Sequence, residues 1–279
     1  MQYILLVIYL AIALALQFLT GNIPVAFLAF PLNLIVALIW EFLMLILWRT
    51  SKKSLFVEFM LSRGATITSI VLLALSAIVI GITGDRSLVT TWIFAAILLY
   101  FQTVLLFVIL RGWREQTATG ARLGQIRWRF LFNHLGILLA VSSAFWGAPD
   151  TEVLRMRVFQ NLPVREAMKM DGTLTRLPYE ITLDKFDIHT YSNGVPSMYE
   201  AMLMVDGKPV VLKVNEPYSV SFGRDLYLVG FDGANNDDNC ILQLVYEPWR
   251  YAAMAGIELM LIGAFLLFAT GPRRRYNDD

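Results

Sequence analysis

Six stretches of the chain, residues 3–19, 26–48, 65–83, 90–110, 130–146 and 251–269, are apolar at nearly every position. A helix on the surface of a soluble protein shows a polar face, and these runs do not. Each is close to the roughly 20 residues needed to cross a bilayer, where backbone groups can be satisfied only within a helix. The connections 20–25 and 84–89 contain Gly, Pro, Asn or Asp and are short, which predicts antiparallel helical hairpins. Between residues 147 and 250 the pattern changes. Runs at 180–190, 198–205, 209–214, 225–231 and 240–246 alternate or cluster as strands do, with turn signals at Asn193-Gly194 and Asp206-Gly207. The predicted fold class is a polytopic α-helical membrane protein with six transmembrane helices and a small mainly-β exported domain between helices five and six.

Basic residues set the expected orientation. Arg49, Lys52, Lys53 and Arg63 follow the second run, Arg111, Arg114, Arg122, Arg127 and Arg129 the fourth, and Arg273, Arg274 and Arg275 the last, whereas the opposite short loops carry only Arg86. Both termini are expected in the cytoplasm and residues 148–250 outside it, in the cytoplasmic (inner) membrane of a cell. The first run lacks a basic start and a convincing small-residue cleavage site, which favours a retained span over a signal peptide. Composition agrees: 57% of residues are hydrophobic, 16% are charged, mean hydropathy is +0.59 and net charge is +1. Such a charge gives no field for nucleic acid. A single cysteine, Cys240, excludes an internal disulfide, a CxxC pair and a thiolate metal cluster within one chain.

The two histidines are the first candidates for chemistry. His134 lies about 7 Å along its helix from Arg129. An imidazole at that depth faces other helices or a cavity. It is either an axial haem ligand, for which the neutral ring is the donor form, or an interfacial histidine bonded to a neighbouring helix. His189 sits in a strand opposite Ile188 and reads as a solvated side chain, with a second iron ligand as the alternative. Glu41 and Glu258 lie toward opposite ends of their spans and form no series across the bilayer, so a transporter ranks last. Residues 232–239 form an acidic loop whose spacing does not fit a calcium site. No phosphate loop, HExxH or G-x-S-x-G motif is present. Trp48, Trp92, Trp128, Trp146 and Trp249 fall near span ends, as interfacial anchors do.

Three stretches resemble the ResB family, also called CcsB, of system II cytochrome c maturation. They are Phe130-Leu131-Phe132-Asn133-His134-Leu135-Gly136-Ile137-Leu138-Leu139, the set Ile181 to Phe186, Tyr191 to Pro196 and Lys213 to Pro217, and Tyr246-Glu247-Pro248-Trp249-Arg250. The resemblance runs from span three onward, over about the last three quarters of the chain. Its domain reading takes 1–48 as an added N-terminal hairpin, 49–147 as the ResB-like membrane region, 148–250 as the extracytoplasmic domain, and 251–279 as the last span with a basic tail. The resemblance implies a subunit that moves haem outward and presents it to apocytochrome c with a CcsA-type partner. A thioredoxin-like thiol reductant is a further implied partner. Haem would be a transient cofactor, and no catalysis by this chain alone is implied. His134 matches the family's iron-ligating histidine, and Arg127 and Arg129 could pair with haem propionates, though positive-inside anchoring alone would also explain both arginines. The competing reading is a non-catalytic scaffold whose exported domain binds a partner protein.

Overall fold

The computed structural model describes residues 2–51, 54–118, 126–193, 196–231 and 239–270. Lys52, Lys53, Arg122, Arg273 to Arg275, Gly194 of the Asn193-Gly194 turn and most of the acidic loop lie outside the described residues. The chain divides into a helical unit, Met1–Pro149 with Trp249–Asp279, and a second unit, Asp150–Pro248.

In the helical unit the order is α1 (Gln2–Thr20), α2 (Leu32–Thr50), α3 (Leu55–Met60), α4 (Arg63–Thr83), α5 (Trp92–Ala118), α6 (Trp128–Gly147) and α7 (Arg250–Thr270). Among the described residues, six of these helices are long and apolar enough to cross a membrane. Large apolar side chains stand exposed along them, including Phe18, Ile82 and Phe268 at more than 80%. That surface suits hydrocarbon rather than water. The second span starts later than its hydropathy suggests. Pro31 stands at the N-cap of α2, where a missing N–H leaves no helical bond unmade.

One expectation is corrected here. The helical unit has seven helices rather than six, so the sheet follows the sixth of seven, while it still lies between the fifth and sixth of the span-length helices. The additional helix is α3, six residues long and so without any span-length signal. Two serine caps define it. Ser54 Oγ accepts from the Val57 N–H at 3.2 Å, and Ser62 Oγ accepts from the Ala65 N–H at 3.0 Å to start α4. Val57, Phe59 and Met60 of α3 are buried with Leu6, Tyr100 and Phe107, so this short helix plugs the core between α1 and α5.

Helix α5 is the axis of the unit and the most buried of its spans. Hydroxyls tie its neighbours to it. Tyr9 of α1 donates to the Ala96 carbonyl at 2.9 Å, and the Tyr100 hydroxyl donates to the Ala65 carbonyl of α4 at 3.1 Å. Helices α6 and α7 form the tightest pair, because glycines let their backbones touch. A Cβ on Gly256 would stand 2.7 Å from both the Ala140 nitrogen and the Gly136 oxygen.

The second unit is one eight-stranded antiparallel sheet in the order β5-β4-β3-β2-β1-β8-β7-β6. The strands are β1 (Glu152–Phe159), β2 (Val164–Lys169), β3 (Leu174–Thr190), β4 (Pro196–Val205), β5 (Lys208–Lys213), β6 (Tyr218–Ser221), β7 (Arg224–Gly230) and β8 (Asn239–Tyr246). Strands β1 to β5 form one meander and β6 to β8 another, joined where β8 pairs with β1. Both Asp206 (φ 50°) and Gly207 (φ 76°) take the left-handed conformation that a two-residue hairpin turn needs. The sheet rolls around one core that includes Val158, Ile181, Leu203, Leu212, Leu226, Cys240 and Leu242.

Burial pushes the Cys240 thiol up to about 12. A folded-state value above the unfolded one means that the unfolded chain releases this proton first as the pH rises. The unit should therefore keep this contribution below about pH 9 and lose it between there and about pH 12. Denaturant unfolding across that range should show a falling midpoint for the native chain and a flatter profile for Cys240→Ala. An equal slope in the two would contradict a buried neutral thiol.

Candidate functional site

The start of α6 is built by contacts with the end of α5. Gln116 is buried at the end of α5. Its Nε2 donates to the Gly112 carbonyl at 2.7 Å, and its Oε1 accepts from the Arg127 backbone N–H at 2.5 Å. Phe130 packs against Gly112 so closely that any Cβ there would overlap its ring. The Arg127 guanidinium lies 5.7 Å from the centre of the same ring and 3.8 Å from Glu115. That ion pair is exposed and worth little to stability. Arg129 is half-buried one residue into the helix.

His134 stands one turn beyond Phe130. The two rings are 4.1 Å apart at 36°, and His134 Nδ1 meets the Phe130 carbonyl oxygen at 2.8 Å. A carbonyl can only accept, so Nδ1 carries the proton and Nε2 of the neutral ring keeps its lone pair. This backbone anchor is the arrangement that orients metal-binding histidines. Asn133 faces the α7 seam, where it lies against Gly263. At 100° per residue His134 turns away from that seam, onto the flank shared with Phe130 and Leu138. It is half-buried there.

His134, Arg127 and Arg129 thus share the first two turns of α6. His189 does not join them. It is exposed on β3 in the other unit, paired in register with Met198. Glu41 is half-buried in α2 and Glu258 is exposed on α7. Among the described residues no group of three or more His, Cys, Asp or Glu could hold a metal ion. One imidazole with Nδ1 held by a carbonyl leaves Nε2 to act as a single donor. An apolar cavity of about 270 Å³ lies among α1, α2, α3 and α5, lined by residues such as Leu6, Tyr9, Trp40 and Phe59. His134 is not in its lining.

A polar node in the helical core has no counterpart among the sequence expectations. Gln102 of α5 is buried, and its Oε1 accepts from Ser142 Oγ and Trp146 Nε1, each at 3.3 Å. Asn33 of α2 donates to the Trp146 carbonyl at 2.8 Å. Together they lock α2, α5 and α6 by the interhelical hydrogen bonds that lipid rewards. The signal for it was a glutamine in the middle of an apolar run.

Residues 111–241 match the ResB-like family. This ResB-like segment begins near the end of α5, takes in α6 with His134, and ends in β8. It is shorter than the stretch from span three onward, and both α1–α4 and the Tyr246–Arg250 motif fall outside it. A solved structure titled cytochrome c heme lyase CcmF is similar at a TM-score of 0.42 and 12% identity, over 76% of this chain and 38% of that one. This chain therefore spans well under half the length of that protein. No curated protein sequence matches the chain.

Proposed function

We propose that this chain is a haem-handling membrane subunit of a system II cytochrome c maturation complex. It lies in the cytoplasmic membrane with both termini inside and the sheet unit outside. The reading rests on His134 being inside the ResB-like segment with Nδ1 held by a backbone carbonyl and Nε2 left to donate. His134 would hold the haem iron through Nε2, and Arg127 and Arg129, earlier on the same helix, would pair with the propionates. Haem, when bound, supplies the iron centre and the group to be transferred. This chain's part is to hold and orient that group, while a CcsA-type partner completes the coordination and attachment to apocytochrome c takes place in the complex. A thioredoxin-like reductant would keep the acceptor thiols reduced.

The test is the haem absorption band of the chain purified with its partner. His134→Gly should lose the band while accumulating normally, and added imidazole should restore it. Arg127→Gln with Arg129→Gln should lower haem retention severalfold. A band unchanged in His134→Gly would defeat the ligand assignment. The second reading, a scaffold whose sheet unit grips a partner, is favoured by one observation: the apolar cavity is built away from His134. Under it, deleting 151–246 abolishes complex formation and His134→Gly leaves cytochrome maturation intact.

A further inference from the structure

The apolar cavity of about 270 Å³ in the helical unit has a floor and a rim. Phe59 and Met60 of α3 and Tyr100 and Thr103 of α5 form the floor, and all four are buried. At the rim stand Leu5 of α1, which is exposed, and Trp40 of α2, which is half-buried. Helix α1 lies against α5 and α3, and helix α2 lies against α6, whereas α1 and α2 make no comparable contact with each other. The space they leave between them opens at the side of the unit. Exposed apolar side chains flank it there, on a surface that suits hydrocarbon.

The hydroxyls around the cavity are engaged elsewhere. Tyr9 donates to the Ala96 carbonyl at 2.9 Å, Tyr100 to the Ala65 carbonyl at 3.1 Å, and Thr103 to the Leu99 carbonyl at 2.7 Å. No charged side chain is in the lining. A buried water needs several polar partners, so the space does not suit water. An ion or an acid group would find no countercharge. An empty void would cost the walls the dispersion contacts that a packed interior makes. A hydrocarbon restores those contacts and asks for no hydrogen bond.

We infer that this cavity seats one acyl chain of a membrane lipid, which enters between α1 and α2. An apolar cavity of about 150 Å³ takes a benzene ring, and on that scale this one takes roughly ten chain carbons. The rest of the lipid, with its head group, stays in the bilayer. Lipid hydrocarbon is the most concentrated apolar matter at the mouth of the cavity. A ring compound bearing carbonyls or hydroxyls would bury those groups unmatched, at a cost that a plain chain avoids. Every lining residue precedes Arg111, where the ResB-like segment begins, so the inference stands apart from the haem reading. It gives the helices ahead of that segment a task.

The test uses the full-length chain in vesicles of phosphatidylethanolamine and phosphatidylglycerol, with added phosphatidylcholine that carries a photoreactive diazirine near the end of one acyl chain. After irradiation, adducts are mapped to residues by mass spectrometry. Met60 and Tyr100 are buried, so lipid around the protein reaches them only through the cavity, whereas Ile82 is exposed on α4 and reports ordinary lipid contact. The native chain should carry adducts at all three. Leu5→Trp narrows the rim, and Leu99→Phe fills the space from α5. Each should lower the Met60 and Tyr100 adducts severalfold and leave the Ile82 adduct unchanged. The control Ile67→Trp, on the exposed face of α4, should alter none of them. Native mass spectrometry of the detergent-extracted chain should show one retained phospholipid, lost in Leu5→Trp and in Leu99→Phe. Adducts confined to exposed residues, adducts at Met60 and Tyr100 undiminished in both cavity variants, or a retained apolar molecule without an acyl chain overturns the inference. If Leu99→Phe fails to accumulate, undiminished adducts in Leu5→Trp overturn it.

Discussion

Gly136→Ala should force α6 and α7 apart. The added Cβ would stand 2.5 Å from the Gly256 carbonyl oxygen, 2.7 Å from Met260 Cγ and 2.9 Å from the Met260 nitrogen. Two of those three atoms are backbone and have no rotamer to escape into. Forcing one carbon into a packed site costs about 1–3 kcal/mol when side chains can shift, so this substitution belongs at the top of that range. The seam offers no slack on either side of the contact. A Cβ on Gly256 meets Ala140 and Gly136, and one on Gly263 would lie 2.6 Å from Asn133 Oδ1. Gly81 of α4 is the control, because a Cβ there meets nothing within 4 Å. Gly81→Ala should be neutral or slightly stabilising, since alanine favours a helix interior by about 1 kcal/mol over glycine. Thermal unfolding in detergent, followed by tryptophan fluorescence, should therefore separate the two variants by several degrees. Equal midpoints would mean that the α6–α7 seam is looser than its glycines imply. Because His134 lies on the other flank of α6, any haem signal lost in Gly136→Ala together with stability reports the helix and not the ligand.

That seam marks the limit of what the residues alone convey. Spans were legible because lipid imposes a length and a composition, and the Asp206-Gly207 hairpin because few dipeptides take two positive φ angles. Helix α3 was not legible. Its six residues sit between serines and cations, and only its docking against Phe107 and Tyr100 makes it a core element. Strands β1, β2 and β6 also went unread. In β1, Arg155 and Arg157 interrupt the apolar run and look like loop polarity until the β8 partner reveals a strict inside-outside alternation. His134 could be named from its depth, but the proton on Nδ1 follows from one carbonyl four residues earlier, a distance that spacing alone does not supply. That Glu152, Tyr246 and Arg224 stand in one row depends on register across three strands. A slip of one residue would turn all of them to the other face.

Leu242→Ala should have the largest effect in the sheet unit. Leu242 is fully buried on β8, flanked by Met156 of β1 and Leu228 of β7 in register, at the junction that joins the two meanders. Truncating such a leucine costs about 2–5 kcal/mol, a large part of the roughly 5–15 kcal/mol that holds a domain together. Cys240 lies two residues away on the same buried face, so its labelling rate with a thiol-reactive dye should rise by about thirtyfold to a few thousandfold. The helical unit is a separate compact body and should keep its far-ultraviolet helical signal. This separation decides between the two functional readings. If His134 holds haem by means of α5 and α6 alone, Leu242→Ala keeps the haem band while losing productive contact with apocytochrome c. If the band disappears as fully as in His134→Gly, the sheet unit is part of the haem site, and a ligand assignment confined to the helices is wrong. Native haem content together with native maturation in a chain whose Cys240 labels at once would exclude the sheet unit from both roles.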